Sequence, residues 1–441
     1  MGIQNVLEYI INKNTGIIHH VKNEIEFKLP FPMHMYFTFR NELVDVNEGV
    51  KIRGNYSGLG YSYDSADSAL ISAVGETLER YCSCYLDRET LIKNSFNSLV
   101  EKNIPVLDPL SITQRLNEPY EGTNLTNKEI DRDTVFNWVQ ANDEIHKRNI
   151  AVPANTIYFD VDEEVLLPHI RDSISTGLAT GSTRLQAVEN AALECIERDA
   201  IVITWLNQLS VPLIDQQTIP DESVQYYLKI ANEKGFEVFF FDITTDIKIP
   251  TYLVLVRNLY NNYPYIQVGA KAHYDPLTAL KGALMETLAS LNLLANPNQD
   301  IAEIVDIKNT TNIKSIKDHM LYYASGNDKD AFDFLISSST KPFNNHSEIN
   351  DFEELKDKLK DMGLNLYSYD LTTEDISSLG LHVYRVLMPE LAFLEITIPM
   401  LRCNRLVDAP KIWDILQQKL LIKIHTHFRK ELIKRGVKRY E

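Results

Sequence analysis

Three stretches of this chain obey one pattern, and that pattern limits the fold more than any other feature. SADSALISAVGE ends at Glu76, TRLQAVENAALE at Glu194 and DPLTALKGALME at Glu286. Each begins with a capping residue (Ser65, Thr183, Asp275). An alanine follows four residues on (Ala69, Ala187, Ala279), a second four later (Ala73, Ala191, Ala283), and the glutamate three after that. Glycines precede each: Gly58 and Gly60, Gly177 and Gly181, and Gly269. The spacing predicts an extended segment, a glycine turn, an N-cap and then a helix, three times over. Alanines four apart share one helix face, where small side chains let another backbone come close. The glutamate sits at the edge of that packed face.

The first two units extend the pattern. ETLER places Glu76, Glu79 and Arg80 together, and ECIER does the same with Glu194, Glu197 and Arg198. A lone ExxER describes a solvated helix face whose ion pairs are worth a few tenths of a kcal/mol, on the order of 0.3–0.5. Here it recurs after the same cap, alanine pair and glycines. Carboxylates gathered by packed helices repel one another unless cations sit between them. Oxygen ligands suit magnesium, which commonly binds together with substrate phosphates. The repeat therefore points to metal-assisted phosphoryl chemistry. No G-x4-G-K-S/T loop is present to cradle phosphates. The GLATGS segment, Gly177 to Ser182, opens onto a helix and is expected to offer backbone N–H groups to an anion.

Composition removes several alternatives. The formal charge of −17 provides no basic field for nucleic acid, while it permits divalent cations and a neutral or basic peptide partner. No segment approaches the roughly 20 apolar residues of a membrane helix. The N-terminus lacks a signal-peptide pattern, and Val6 stands where a myristoylation signal carries Ser or Thr, so a cytoplasmic location is expected. Cys82, Cys84, Cys195 and Cys403 form neither a disulfide framework nor a zinc set, and are read as ordinary thiols.

The segment PFPMHMYFTF reads as extended. Phe236–Ile243, Thr251–Val256 and His382–Met388 read as buried strands, with Phe239 to Phe241 in the core rather than on a stacking platform. Residues from about 296 to 360 read as surface helices and loops, and a helical pattern runs from about Pro410 to Lys434. No linker divides the chain. The expected architecture is a mixed α/β (α+β) catalytic domain over 51–441 behind an N-terminal extension, 1–50. His19 and His20 are expected at the surface, and His273 in a structural role. Arg385 and Arg402 are left open between packing and phosphate or peptide contact.

At these residues the sequence resembles the YcaO family, from about Ser57 to Arg405. STGLATGSTRLQAVENAALECIERDA (Ser175 to Ala200) is similar to the family's Ser/Gly-rich turn and its helix ending in ExxER-D-A. The upstream ExxER matches a second motif. GAKAHYDPLTALKGALMETL (Gly269 to Leu288) matches a third, and Asp370 to Leu391 resembles the late strand that ends in a proline. The resemblance implies a YcaO-type fold whose repeated units form a non-P-loop ATP site. In it Glu76, Glu79, Glu194, Glu197 and Glu286 are the magnesium-side carboxylates, and Ser182 and Arg198 touch the nucleotide. It assigns no general base.

The resemblance also implies the reaction. Members phosphorylate an amide oxygen after a Cys, Ser or Thr side chain, or another nucleophile, has added to the carbonyl. The leading expectation is an azoline-forming cyclodehydratase of thiazole/oxazole-modified peptides. A thioamide- or amidine-forming enzyme is the alternative, and a non-catalytic accessory protein is a reading of another class. Concentrated negative charge gives an accessory protein nothing, which weighs against the last. The implied partners are a ribosomally made precursor peptide, a separate E1-like (Ocin-ThiF-like) leader-binding protein, an azoline dehydrogenase and further copies of the chain. No leader-binding segment is expected in front of the domain. Three departures stand out: Gln186 replaces a family glutamate, Ala289 stands where Gln is frequent, and RGVKRYE replaces a PxPxP end.

Overall fold

The computed structural model describes residues 3–23, 31–41, 57–113, 130–159, 161, 167–168, 170–171, 174–295, 313, 315–336, 338–394, 403 and 405–409. Arg402 and the helical pattern from Pro410 to Lys434 lie outside them. The strands are β1 Ile18–Asn23, β2 His34–Arg40, β3 Ser57–Ser62, β4 Ile92–Ser95, β5 Val135–Asp143, β6 Arg148–Pro153 and β7 Leu178–Gly181. They continue with β8 Leu213–Ile214, β9 Phe236–Asp242, β10 Thr251–Asn258, β11 Ile266–Ala272, β12 Thr340–Lys341, β13 Tyr367–Asp370 and β14 His382–Leu387. The three repeat helices are Ala66–Ser83, Arg184–Leu206 and Pro276–Leu294.

Helices and sheets are mixed, as the sequence implies, but the pairing is almost wholly antiparallel; β8 with β12 runs parallel. There are three sheets among the described residues: β1-β2-β3, β11-β10-β9-β8-β12, and β4-β5-β13-β14-β7 with β6 on β5. Each ends on the strand of one repeat: β3, β11 and β7. The three repeats are thus three sheet edges, each followed by a helix that folds back over its own strand.

The caps behave as their chemistry requires. Ser65 accepts from Ser68 N–H, Thr183 from Gln186 N–H and Asp275 from Thr278 N–H. All six pattern alanines are fully buried. The glycines, however, are not mainly turn residues. Gly58 and Gly60 lie inside β3, and Gly269 lies inside β11. A Cβ at Gly58 or Gly60 would run into the carbonyl oxygens of Ala73 and Ala69, and one at Gly269 would lie 2.7 Å from Thr287 Oγ1. Alanine on the helix meets glycine on the strand, so the two backbones nearly touch. Gly177 alone of the set has a left-handed backbone, at φ +84°.

Residues 6–23 and 31–41 pack against the same cores. Val6, Ile10, Ile17 and Ile18 pack in the largest hydrophobic cluster, and Phe31 packs in the one beneath the third repeat helix. β2 pairs β3 directly, and Thr38 Oγ1 lies 2.6 Å from Thr77 Oγ1 on the first repeat helix. Phe240 and Phe241 are fully buried and His19 and His20 exposed, as expected. All four cysteines are buried, and none is in a disulfide. No helix among the described residues is long and apolar enough to cross a membrane.

Candidate functional site

An edge strand carries N–H groups that its own sheet does not pair. In this molecule the repeat glutamates accept them. Glu76 accepts from Leu59 N–H at 2.8 Å, Glu194 from Gly177 N–H at 2.8 Å, and Glu286 from Ala270 N–H at 3.3 Å. Each of these bonds lies within one repeat, from helix back to its own leading segment. The second glutamates reach across. Glu79 accepts from Thr180 N–H on β7 at 2.9 Å, and Glu197 accepts from Ala272 N–H on β11 at 3.3 Å. The first repeat therefore grips the strand of the second, and the second grips the strand of the third. At the corresponding position the third helix has Ala289, which is buried.

This order brings all five carboxylates into one electrostatically connected row. Burial pushes the Glu79 carboxyl up to about 8; Arg80 pulls it down, and the charges of Glu76 and Glu194 push it further up. Burial likewise raises Glu197 to about 7, against Lys271 and Arg198 and with Glu286 and Glu194. Glu286 is also raised, by burial first, with Arg198 and Lys271 opposing. Among the described residues no three His, Cys, Asp or Glu side chains close on one point tightly enough to hold a metal ion. The carboxylates are strung along two seams instead. A donor set of this kind suits magnesium, which takes one or two carboxylates and fills its octahedron with phosphate oxygens and water.

Cations are interleaved with the row. Arg80 donates to Glu76 at 3.2 Å and lies over the Phe159 ring, 5.1 Å from its centroid. Arg198 lies 3.7 Å from both Glu194 and Glu197. Arg80 Nη1 and Arg198 Nε are buried and make no hydrogen bond among the described residues. Such orphaned donors cost free energy, and they suit an anion arriving beside the carboxylates.

Ser182 stands two residues beyond Thr180, at the start of the second repeat helix, while Arg198 lies about 21 Å further along that helix. The structure does not bring these two together, so a nucleotide touching both must lie along the row. The expected anion cradle in GLATGS is not free. Leu178–Gly181 is strand, and the N–H groups of Gly177, Thr180 and Ser182 go to Glu194, Glu79 and Gln186. Gln186 Oε1 takes both the amide and the hydroxyl of Ser182, at 2.8 Å each. His273 is structural as expected, its Nδ1 accepting from Asp275 N–H at 3.0 Å. Arg385 is buried, donates to Ile174 O at 2.9 Å, and is pulled down to about 9 by burial and then by Arg171.

Two residues at the site went unread in the sequence. Tyr61 on β3 lies in the field of Glu286, Glu197 and Glu76, and its hydroxyl is raised well above the usual range, by burial first. Lys271 on β11 holds its ammonium 3.9 Å from Glu197. Both occupy the place four residues before a cap, the same offset in two repeats. That shared offset was the available signal.

In fold, a heterocyclase solved in complex with substrate and cofactor matches with a TM-score of 0.67 at 18% identity, over 88% of this chain and 52% of its own. The Escherichia coli microcin synthetase McbBCD complex matches with a TM-score of 0.59 at 14% identity, over 84% of this chain and 88% of the other. An uncharacterised protein encoded in the tfuA 3′ region of Rhizobium leguminosarum bv. trifolii is 25% identical over 237 residues, 49% of this chain and 56% of that protein. The chain thus spans about half the length of the heterocyclase and of the Rhizobium relative. The family model described as YcaO cyclodehydratase, ATP- and Mg2+-binding, covers residues 60–392. With three quarters of its length matched, the chain belongs to the YcaO cyclodehydratase family, whose cofactors are ATP and Mg2+.

Proposed function

We propose that this chain is the ATP- and magnesium-dependent cyclodehydratase of a peptide-modifying system. It phosphorylates backbone amides of a ribosomally made precursor and so forms thiazoline or oxazoline rings. The observation that carries the reading is the row of five carboxylates with Arg80 and Arg198 set into it and their buried N–H groups unspent. Glu76, Glu79, Glu194, Glu197 and Glu286 would hold magnesium at the phosphates of the nucleotide; Arg198, with Ser182 just before the N-terminus of the same helix, would hold the nucleotide itself. ATP supplies the phosphoryl group that turns the amide oxygen into a leaving group. The chain supplies position and charge: two seams of packed backbone fix the carboxylates, and the buried guanidinium groups face charge that shifts during transfer. Leader recognition is assigned to a separate E1-like protein, in keeping with the multi-protein microcin synthetase that shares the fold. An azoline dehydrogenase acts after it where the product is aromatic, and the chain self-associates.

A second reading is thioamide formation, the alternative that the family resemblance implies. One measurement separates the two. The precursor is incubated with this chain, the E1-like protein, ATP and Mg2+, with and without added sodium sulfide as sulfur donor, and weighed by mass spectrometry. Loss of one water mass per modified residue is the expected result. A gain equal to sulfur minus oxygen assigns the chain to thioamide chemistry, and an unmodified peptide with full partner present overturns both.

A further inference from the structure

Setting the three repeats in register shows an exchange in the third. One helical turn before the leading glutamate the first two carry Ser72 and Asn190, both exposed on the face that leads into the row. The third carries Gly282. Four residues before the cap the repeats carry Tyr61, Ala179 and Lys271. On β11 the side chains alternate, so Gly269 and Lys271 face the third repeat helix while Ala270 and Ala272 face the cores behind. Lys271 runs along that helix directly over Gly282. A Cβ at Gly282 would lie 2.8 Å from Lys271 Cγ, 3.2 Å from Cβ and 3.5 Å from Cδ. In this repeat a strand lysine fills the space where the others place a helical polar side chain, and glycine is what admits it.

The ammonium ends in the acidic row, 3.9 Å from Glu197 and in the field of Glu286 and Glu194. Its side chain is 49% exposed, against 15% for Arg80 and 26% for Arg198. Of the three cations in the row it is the one with room to swing. The two arginines are held by Glu76, Glu194 and Glu197, while five carboxylates repel an incoming polyphosphate. A mobile cation that leaves a carboxylate for a phosphate oxygen lowers that repulsion twice: it frees Glu197 for magnesium, and it neutralises the nucleotide.

Resting on the reading of this row as the nucleotide site, we propose that Lys271 binds the phosphate chain of the nucleoside triphosphate. It does so from β11, through the gap that Gly282 leaves in the third repeat helix.

The test is equilibrium binding of a non-hydrolysable ATP analogue with Mg2+ to full-length protein, with melting temperature read alongside. Lys271→Met weakens binding about tenfold or more, in line with loss of a charge-assisted contact, and leaves the melting temperature near that of the wild type. Gly282→Ala, which pushes the lysine stem aside, weakens it by a smaller factor. Lys271→Gly with Gly282→Arg moves the cation from strand to helix through the same space and restores most of the affinity. A lysine that serves only to neutralise Glu197 gives the opposite sign: Lys271→Met would release that carboxylate for magnesium and tighten binding. Unchanged or tighter binding by Lys271→Met overturns the proposal while the nucleotide site stands. Absence of Mg2+-dependent binding in the wild type removes the site and the proposal together.

Discussion

The first and third repeat helices share the letters ETL after the alanine pair and then part, Glu79–Arg80 in one and Ala289–Ser290 in the other. Around the first three letters the structures agree closely. Thr77 and Thr287 each donate to the carbonyl one turn back, Ala73 and Ala283, and each leading glutamate takes an amide of its own strand. What differs is the next seam. Glu79 crosses to the second repeat, whereas Ala289 is packed away and the third helix meets β3 through apolar side chains and Tyr61. The comparison teaches that the repeat is an architectural unit and the site is a property of seams. Two seams carry buried carboxylates; the remaining one is closed by apolar packing.

The largest effect that sharpens this contrast is on turnover. Glu194→Ala and Glu286→Ala lower ATP-dependent modification by on the order of a thousandfold, about 4 kcal/mol in barrier. The melting temperature stays level or rises, because one like charge has gone from a crowded row. Loss of activity accompanied by unfolding would mean that these glutamates serve only to cap the sheet edges.

A smaller effect tests the quiet seam. Ala289→Glu inserts the carboxylate that the third helix lacks, at a site 1% exposed. It destabilises the fold by about 1–3 kcal/mol through overpacking, with a desolvation cost added. A stable variant with normal activity would show that the third seam tolerates charge as the others do, and the contrast would fail.

The smallest effect is a slope with pH. In metal-free protein the folded state holds protons on Glu79 up to about 8 and on Glu197 up to about 7, while the unfolded chain releases them near 4.5. The folded form therefore binds more protons across that window, and stability falls as pH rises from about 4.5 to 8. Melting curves in chelator measure the fall, and Glu79→Gln with Glu197→Gln flattens it. A profile that rises over this range would contradict the burial of these two groups.

Much of this was legible in the residues, and what was not has a physical reason. The caps, the buried alanines and the strands at Phe236, Thr251 and His382 follow from local rules that one segment satisfies alone. The glycines were misread as turns because a strand glycine and a turn glycine look alike until the opposing helix is known. The amides of Gly177 and Thr180 looked available for the same reason, since nothing local reveals that glutamates 17 and 101 residues away occupy them. Lys271 on its strand resembles any solvated lysine. Its meaning lies in Gly282, a contact between elements.

The crossing bonds from Glu79 to Thr180 and from Glu197 to Ala272 join residues 101 and 75 apart. During synthesis, the first repeat helix leaves the ribosome after the strand that its alanine face covers, but with its second glutamate still without the strand it is built to hold. At roughly 5–20 residues per second, the second repeat follows only after several seconds, and the third after several more. Contacts of such span make folding slow, because a long loop must close before any of them forms. The row of carboxylates thus comes into being late, when most of the chain has already been made.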